Sequence, residues 1–286
     1  MLAILNTWQF NVIGYLISIV VFYQFYKLAV KHAKRDGAAT ILLQFIAGIT
    51  VLSLVLFVNW RLPKEPIIVF LLVVTCVFSA INNRLQTTAR KHLQVSTFSI
   101  LAQLSNVFLI LFGLTIFSNP FVWSKILGAG IILTANIFLL YRGGKFEFNR
   151  YVAMAILASF VMAIALSIDI GLSQQFNLPF YIMLTLMISA SMIAIGERIP
   201  PTEVIQELKP GNKFFYLTTG IAWGLTIFFS LRSFQLGQVT TIVPLQATSV
   251  LLNVIVAYLF LGERENSLKK IVAACMVILG IYFTIL

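Results

Sequence analysis

Long apolar runs separated by short polar breaks fill the chain, and their length is the first indication of its fold. A helix that crosses a bilayer needs about 20 apolar residues, and ten runs meet this requirement. No run alternates apolar and polar residues with a period of two, which argues against a β-barrel. The pattern therefore predicts an all-α integral membrane protein with ten transmembrane helices. The predicted spans are 11–30, 38–58, 66–86, 95–117, 122–141, 152–172, 179–196, 214–234, 239–261 and 268–286.

Composition and charge agree with this class. Hydrophobic residues make up 60% of the 286 residues and charged residues only 10%, whereas soluble domains have about 25% charged residues. A soluble enzyme, a disordered protein and a disulfide scaffold are thereby excluded. We expect Cys76 and Cys275, which both lie in apolar runs, to be small buried hydrophobic residues.

Basic residues divide unequally between the connections. We number each connection by the span that it follows. The odd-numbered connections and their flanks contain sixteen of the twenty lysines and arginines, and the even-numbered connections contain four. In a soluble protein such a basic excess would indicate a nucleic-acid partner. Here it predicts orientation in a membrane, because cytoplasmic loops are enriched in lysine and arginine. The odd connections are then cytoplasmic and both termini lie outside the cell membrane. The expected partners are membrane lipid and a small-molecule substrate, with no nucleic acid.

The two halves of the chain align after a shift of 144 residues. Gln94–Thr97 (QVST) then matches Gln238–Thr241 (QVTT), and Lys125 matches Lys269. We therefore divide the chain into two five-helix repeats, 1–145 and 146–286. Because five is odd, equivalent helices cross in opposite directions, so the repeats are inverted. Inverted repeats are typical of secondary transporters, whose substrate site lies between the halves.

The stretch VTTIVPLQATSVLLNVIVAYLFLGERENSLKKIVAACMVILGIYF, which begins at Val239, has a distinctive order of features. A proline lies early in the ninth span, a Leu-Gly-Glu end follows it, and a glycine lies late in the tenth span. These residues are Pro244, Gly262, Glu263 and Gly280. The stretch resembles the closing part of an EamA-type repeat of the drug/metabolite transporter superfamily. In the first half, Ile100 and Ser118–Asn119 replace the proline and the Gly-Glu pair, so that repeat is divergent.

The resemblance implies movement of amino acids, metabolites or drugs by alternating access. It also implies a central cavity formed by helices one to four and six to nine, with helices five and ten at the periphery. Relatives often keep their termini in the cytoplasm, which is opposite to the orientation that the charge distribution predicts.

Polar residues within the third, fourth, eighth and ninth spans recur at helical spacing and form one stripe on each helix, which on the third span includes Asn82 and Gln86. Polar side chains inside a membrane usually face the bundle interior or a water-filled cavity. From these stripes we predict a substrate cavity lined by Asn82, Gln103, Asn106, Trp223, Gln246, Ser249 and Asn253. The alternative is that the stripes only join helices, at about 0.6 kcal/mol for each hydrogen bond.

Four further residues have alternative interpretations. Asp169 is the only carboxylate within an apolar run; it is either a proton or cation coupling site or an interfacial residue that reaches headgroup water. Lys27 either contacts an anionic group of the substrate or extends to the membrane surface. Pro244 is expected to kink the ninth helix, either as part of a moving gate or as a purely structural feature. Glu263 is expected to be structural, in a polar turn before a tenth helix whose N-cap is Ser267.

Together these features predict a secondary transporter that moves a small metabolite, amino acid or drug-like solute across the cell membrane, with proton coupling as a candidate driving force. A lipid-carrier flippase, with Arg84, Arg90 and Lys91 as a headgroup pocket, and a non-transporting assembly protein remain the alternatives. The sequence has no metalloprotease, paired-aspartate or phosphate-loop motif, so we predict no catalytic residue, metal or cofactor. A monomer and a homodimer are both compatible with the sequence.

Overall fold

The computed structural model describes residues 7–63, 65–115, 122–142, 145–209 and 211–286. Its described part contains ten helices that are long and apolar enough to cross a membrane, which confirms the predicted number of spans. Ser118–Asn119, which the sequence analysis places at the divergent Gly-Glu position, lies outside the described residues. Cys76 is buried as expected, but Cys275 is exposed on the surface of the bundle.

Thirteen α-helices and one short hairpin make up the described chain. Their bounds are α1 Trp8–Val30, α2 Asp36–Leu52, α3 Pro66–His92, α4 Val95–Leu101, α5 Leu104–Thr115, α6 Trp123–Leu140, β1 Tyr141–Arg142, β2 Lys145–Phe146, α7 Arg150–Leu172, α8 Leu178–Gly196, α9 Pro201–Gln206, α10 Lys213–Leu236, α11 Val239–Ala247, α12 Ser249–Phe260 and α13 Ser267–Ile285. A single 3₁₀ turn, Val55–Phe57, follows α2. The fourth span is α4 with α5, the ninth is α11 with α12, and α9 lies in the connection between spans seven and eight.

The spans pack mainly against partners from the other half of the chain. The most extensive contacts join the first span to the eighth, the third to the sixth, the fifth to the tenth and the second to the seventh. The second span also lies against the eighth, and the third against the seventh. The core of the bundle is therefore shared by both halves.

The odd-numbered connections are short and lie together at one end of the bundle, which we call the basic end. Hydrogen bonds there join the first connection to the third and seventh, and the third connection to the ninth. The even connections lie at the other end, which we call the opposite end.

The fourth and ninth spans are each divided by a tight turn. Ala102 and Gln103 separate α4 from α5, and Thr248 separates α11 from α12. At both divisions the backbone hydrogen bonds run to the third preceding residue, as in a 3₁₀ helix: Gln103 donates to Ile100, and Thr248 donates to Leu245. Such a turn within a helix leaves carbonyl groups that need other donors.

The Leu101 carbonyl is one such group, and hydroxyl side chains add further hydrogen bonds at both turns. Ser105 Oγ donates to the Ala102 carbonyl at 2.9 Å, and Thr248 Oγ1 donates to the Leu245 carbonyl at 2.6 Å. Ser159 of α7 donates across the bundle to the Leu101 carbonyl at 3.2 Å. In lipid, freed backbone groups have to be satisfied by protein or by a water-lined cavity, and here neighbouring side chains contribute.

Proline is not the shared cause of the two divisions. Pro244 lies inside α11, which continues to Ala247 before the turn at Thr248. The fourth span is divided without a proline, since Ile100 occupies the aligned position. At both divisions a hydroxyl side chain bonds the carbonyl three residues back, a bond that also occurs in undivided helices such as α6 and α8. A gating role for Pro244 stays a prediction.

The fifth and tenth spans cross at two glycines. A Cβ atom on Gly128 would lie 2.4 Å from the Gly280 carbonyl oxygen, and one on Gly280 would lie 2.8 Å from the Gly128 carbonyl oxygen. The backbones therefore approach more closely than any side chain permits. Glycine at such a crossing is a common way to bring membrane helices together.

We predict that Gly128→Ala destabilises the protein by about 1–3 kcal/mol, because the new methyl group overpacks the crossing. Gly130→Ala is the matched control on the same helix, since nothing lies within 4 Å of its Cβ position. The measurement is thermal unfolding of both variants in detergent. Equal melting temperatures for the two variants would show that the crossing tolerates a side chain.

Candidate functional site

A ladder of polar side chains runs along the third span. Gln86 Nε2 donates to Asn82 Oδ1 at 2.9 Å, and Asn82 Nδ2 lies 3.4 Å from the Met162 sulfur of α7. One turn farther on, Arg90 donates from Nε and Nη2 to Gln86 Oε1 at 3.3 and 3.0 Å. The predicted stripe is therefore a connected network, and it extends past Gln86 to Arg90.

Arg90 lies in an aromatic cage formed by Phe22, Tyr23, Tyr26 and Phe98. Its guanidinium carbon is 4.9, 4.1, 4.9 and 4.2 Å from these ring centroids, respectively. The residue is only 6% exposed. Cation–π contacts of this kind contribute about 0.5–2 kcal/mol each, so the rings compensate part of the cost of burial.

Trp223 joins the cage from the eighth span. Its ring stacks on Phe22, with centroids 5.6 Å apart and an interplanar angle of 25°, and it meets Tyr26 edge-on at 6.2 Å. The Tyr26 hydroxyl bonds Thr87 Oγ1 at 2.7 Å, and Thr40 of the second span donates to the same atom at 2.6 Å. Spans one, two, three, four and eight thus meet around Arg90.

The ninth span contributes three of the predicted cavity residues, all buried. Gln246 accepts from Ser230 at 3.2 Å and donates to Ser233 at 2.9 Å, so it joins α11 to α10. Ser249 and Asn253 lie on α12, and the Asn253 backbone carbonyl accepts from Gln24 Nε2 at 3.3 Å. The Gln246 contacts fit the helix-joining alternative.

Gln103 and Asn106 lie at the division of the fourth span. Asn106 Nδ2 donates to Gln103 Oε1 at 3.0 Å, and both residues are half-buried. The structure therefore places Trp223 against the cage and joins Asn82 to Arg90 through Gln86, whereas Gln103 and Asn106 form a separate pair. The lining roles of all seven residues stay predictions.

Several polar atoms in the bundle interior have no hydrogen-bond partner among the described residues. They include Oε1 of Gln24, both side-chain polar atoms of Gln44, Oγ1 of Thr219 and Oδ1 of Asn253. Each such group costs about 1–3 kcal/mol when it is left unsatisfied. Because most buried polar groups in proteins are paired, these atoms of spans one, two, eight and nine indicate a site for polar groups of a ligand or for water. Ser124 Oγ and Asn136 Oδ1 of the fifth span also have no partner among the described residues.

The sequence analysis did not single out Gln24 or Gln44, and it considered Arg90 only for the headgroup pocket of a flippase. The first two are single amides in otherwise apolar runs, and their unusual position was the available signal. Arg90 was assigned to a connection because it adjoins Lys91 and His92, although it lies four residues after Gln86 on the same helical face.

Asp169 lies between three spans near the opposite end. Its Oδ1 accepts from Thr75 Oγ1 at 2.8 Å and from the Tyr181 hydroxyl at 2.5 Å. No basic side chain pairs with it in the part of the chain that the structure describes. The half-buried carboxylate is thus held by hydroxyl donors from α3 and α8, an arrangement that a protonated or an ionised carboxyl group can use.

The basic end is closed by charged contacts. Ion pairs join Arg35 to Glu203, Arg84 to Glu197 and Lys91 to Asp36. Lys27 Nζ donates to the Lys91 and Leu93 carbonyls at 2.7 Å each, so it caps the C-terminus of α3. Neither expectation for Lys27 describes this contact with the end of α3.

Glu207 also joins connections at the basic end. Its buried carboxylate accepts from the backbone N–H groups of Lys34 and Arg35 at 3.0 and 3.3 Å and from the Tyr216 hydroxyl at 3.1 Å.

Glu263 caps a helix of the other half of the chain. Its carboxylate accepts from the Val95 N–H at 2.7 Å, from the Ser96 N–H at 3.1 Å and from the Ser96 hydroxyl. A carboxylate at a helix N-terminus is favoured by the free amide groups and by the helix dipole. The expected N-cap Ser267 is wrong, because the N-cap of α13 is Asn266 and Ser267 is the first helical residue.

The opposite end contains a cavity of about 430 Å³. Its lining includes two arginines, three phenylalanines and several amide side chains, and it contains no carboxylate. The lining residues are Phe57, Val58, Asn59, Arg61, Gln174, Phe176, Leu178, Arg232, Phe234 and Gln235. Buried Asn177 fixes one wall, since its Nδ2 donates to the Val58 carbonyl at 2.8 Å.

Comparisons with known proteins reveal a shared fold. No family model matches the chain, and no curated protein matches it. A solved structure described as "Crystal structure of protein" matches with a TM-score of 0.64 and 16% sequence identity. The match covers 96% of this chain and 95% of that chain, so the two share one fold over almost their whole length.

We predict that Glu263→Ala lowers the stability by about 1–3 kcal/mol, because it leaves the first amides of α4 without acceptors. Glu65→Ala is the matched control: Glu65 is exposed and is the N-cap of α3, but its side chain makes no capping hydrogen bond. Thermal unfolding in detergent measures both variants. An unchanged melting temperature for Glu263→Ala would contradict the capping role.

Proposed function

We propose that the chain is a secondary transporter that moves a small solute across the cell membrane by alternating access. The observation that carries this proposal is the difference between the two ends of the bundle. Ion pairs and capping contacts join the connections at the basic end, where a cavity of about 180 Å³ lies beside His92 and Glu147, while a larger cavity of about 430 Å³ is present at the opposite end. This is the arrangement expected of a transporter in one of its two access states.

The pairing of spans supports two inverted repeats. If each span is exchanged for the one five places away, the first–eighth contact becomes the third–sixth contact. The second–seventh and fifth–tenth contacts map onto themselves, and the second–eighth contact becomes the third–seventh contact. Contacts that are preserved under this exchange are expected from two similar halves related by a pseudo-twofold axis.

The divided fourth and ninth spans support the same proposal, because they occupy equivalent places in the two halves. Discontinuous helices commonly form the substrate site of transporters built from inverted repeats. The unpartnered amide atoms of Gln24, Gln44 and Asn253 provide hydrogen-bonding capacity in the bundle interior. Such groups would bind polar parts of a solute or its hydration water.

A lipid-carrier flippase is the less favoured alternative. Its headgroup pocket would need free cations at the basic end, but Arg84 pairs with Glu197 and Lys91 pairs with Asp36. Arg90 is enclosed by aromatic rings. These three residues therefore do not form an open basic pocket.

We predict that Asp169 couples transport to protons. Protein reconstituted in vesicles and screened against metabolites should accumulate its substrate when a pH gradient is imposed. Asp169→Asn keeps the shape but removes the titrating group, so it should abolish this accumulation while substrate exchange across the vesicle continues. Radiolabelled uptake and counterflow measure the two activities separately.

Ser167→Ala is the control for this experiment, because the Ser167 hydroxyl bonds only the Ala163 carbonyl of its own helix. Tyr181→Phe keeps the carboxyl group and removes one donor, so it should weaken accumulation without abolishing it. Accumulation by Asp169→Asn at the wild-type level would assign Asp169 a structural role. Neither accumulation nor exchange of any solute would argue against transport itself.

The charge distribution predicts that the basic end faces the cytoplasm. In a background with Cys76 and Cys275 replaced, a cysteine at Asn59 of the opposite end should react with an impermeant thiol reagent in intact cells. A cysteine at Gly211 of the basic end should react only after permeabilisation. Labelling at Gly211 but not at Asn59 would reverse the orientation.

A further inference from the structure

We propose that Arg90 binds a negatively charged group of the substrate, so that the transported solute is a small organic anion with an apolar part. The inference deepens the proposed transport function and rests on it. Its test measures binding alone, so its failure is distinguishable from a failure of transport.

Arg90 is a buried cation without an acidic partner. It is 6% exposed, and no carboxylate pairs with it among the described residues. Both of its hydrogen bonds go to Oε1 of Gln86, and Nη1 donates none within the described chain. Burying an unpaired charge costs several kcal/mol, which an amide oxygen and four rings offset only in part. A guanidinium with free donors is suited to bind a carboxylate or phosphate group.

Four other basic residues at the basic end are used differently. Each of them is bonded to an acid or to backbone carbonyls at the basic end. These residues are Lys27 with Lys91 and Leu93 carbonyls, Arg35 with Glu203, Arg84 with Glu197 and Lys91 with Asp36. Arg90 faces the bundle interior instead, so closure of the basic end does not require its charge.

The surroundings of Arg90 fit a ligand that is anionic at one end and apolar at the other. The rings of Phe22, Tyr23 and Phe98 provide apolar surface at the guanidinium, and Trp223 stacks on Phe22. The polar ladder through Gln86 and Asn82 leads from Arg90 towards the middle of the bundle. A solute that enters from the opposite end would therefore meet Arg90 as the cation at the closed end of its path.

The cavity at the opposite end has the same charge preference. Arg61 and Arg232 line it, and they are two of the three basic residues described at that end, the third being Lys125. No carboxylate lines the cavity. A cavity lined by one sign of charge raises the local concentration of the opposite ion, so anions would be favoured at the entrance.

The test uses purified protein in detergent and three probes that share one apolar group: 3-phenylpropionate, 3-phenylpropanol and 3-phenylpropylamine. Calorimetric titration should show binding of the carboxylate at least about tenfold tighter than that of the alcohol, with no measurable binding of the amine. With Trp8, Trp60 and Trp123 replaced by phenylalanine, the carboxylate should also change the emission of Trp223, which reports the cage.

Arg90→Gln should weaken carboxylate binding at least about tenfold, and Arg90→Lys should lie between it and the wild type because it keeps the charge but not the planar donor pair. Arg150→Gln is the matched control: Arg150 also lies over a tyrosine ring, Tyr151 at 4.7 Å, but at the exposed start of α7. The Arg150→Gln variant should bind 3-phenylpropionate with the affinity of the wild type.

Equal binding of the three probes, tighter binding of the amine, or no binding of the carboxylate to folded wild-type protein would overturn the inference. Wild-type affinity in Arg90→Gln would also overturn it. If Arg90→Gln does not fold, the affinity of Arg90→Lys for the carboxylate and the affinities of the wild type for the three probes test the inference. Anion binding at Arg90 without transport of any solute would count against the proposed transport function and leave this site intact.

Discussion

Polar groups inside a bilayer have to find their partners within the protein, and this constraint governs how the bundle is built. Most backbone groups are satisfied within continuous helices. The fourth and ninth spans are divided, and the Leu101 carbonyl, freed at the division of the fourth, accepts from Ser159 of α7. Polar atoms without a partner among the described residues lie in spans one, two, eight and nine, and also in the fifth span at Ser124 and Asn136.

The apolar runs were sufficient to predict ten spans, because run length alone distinguishes a membrane helix from a connection. Helical spacing also placed Asn82 and Gln86 on one face, and the structure connects them by a hydrogen bond. Spacing within one helix does not indicate which other helix its stripe faces. For that reason Gln103 and Asn106 were grouped with Trp223, although they form a pair of their own at the division of the fourth span.

Contacts between segments that are far apart in the sequence could not be predicted from local sequence patterns. The turn that contains Glu263 gave no sign that its carboxylate would cap α4, which lies in the other half of the sequence. Arg90 could not be separated from its neighbour Lys91 by composition, yet one lies in an aromatic cage and the other in an ion pair. Their difference arises from helical phase: adjacent residues on a helix point about 100° apart, so only one of them faces the interior.

The crossing of the fifth and tenth spans has a consequence for biogenesis. Gly128 and Gly280 are separated by about 150 residues of sequence, and ribosomes add about 5–20 residues each second. The fifth span therefore resides in the membrane for on the order of ten seconds before its partner is synthesised. During that interval Gly128 faces lipid or other helices nearby instead of the backbone of the tenth span.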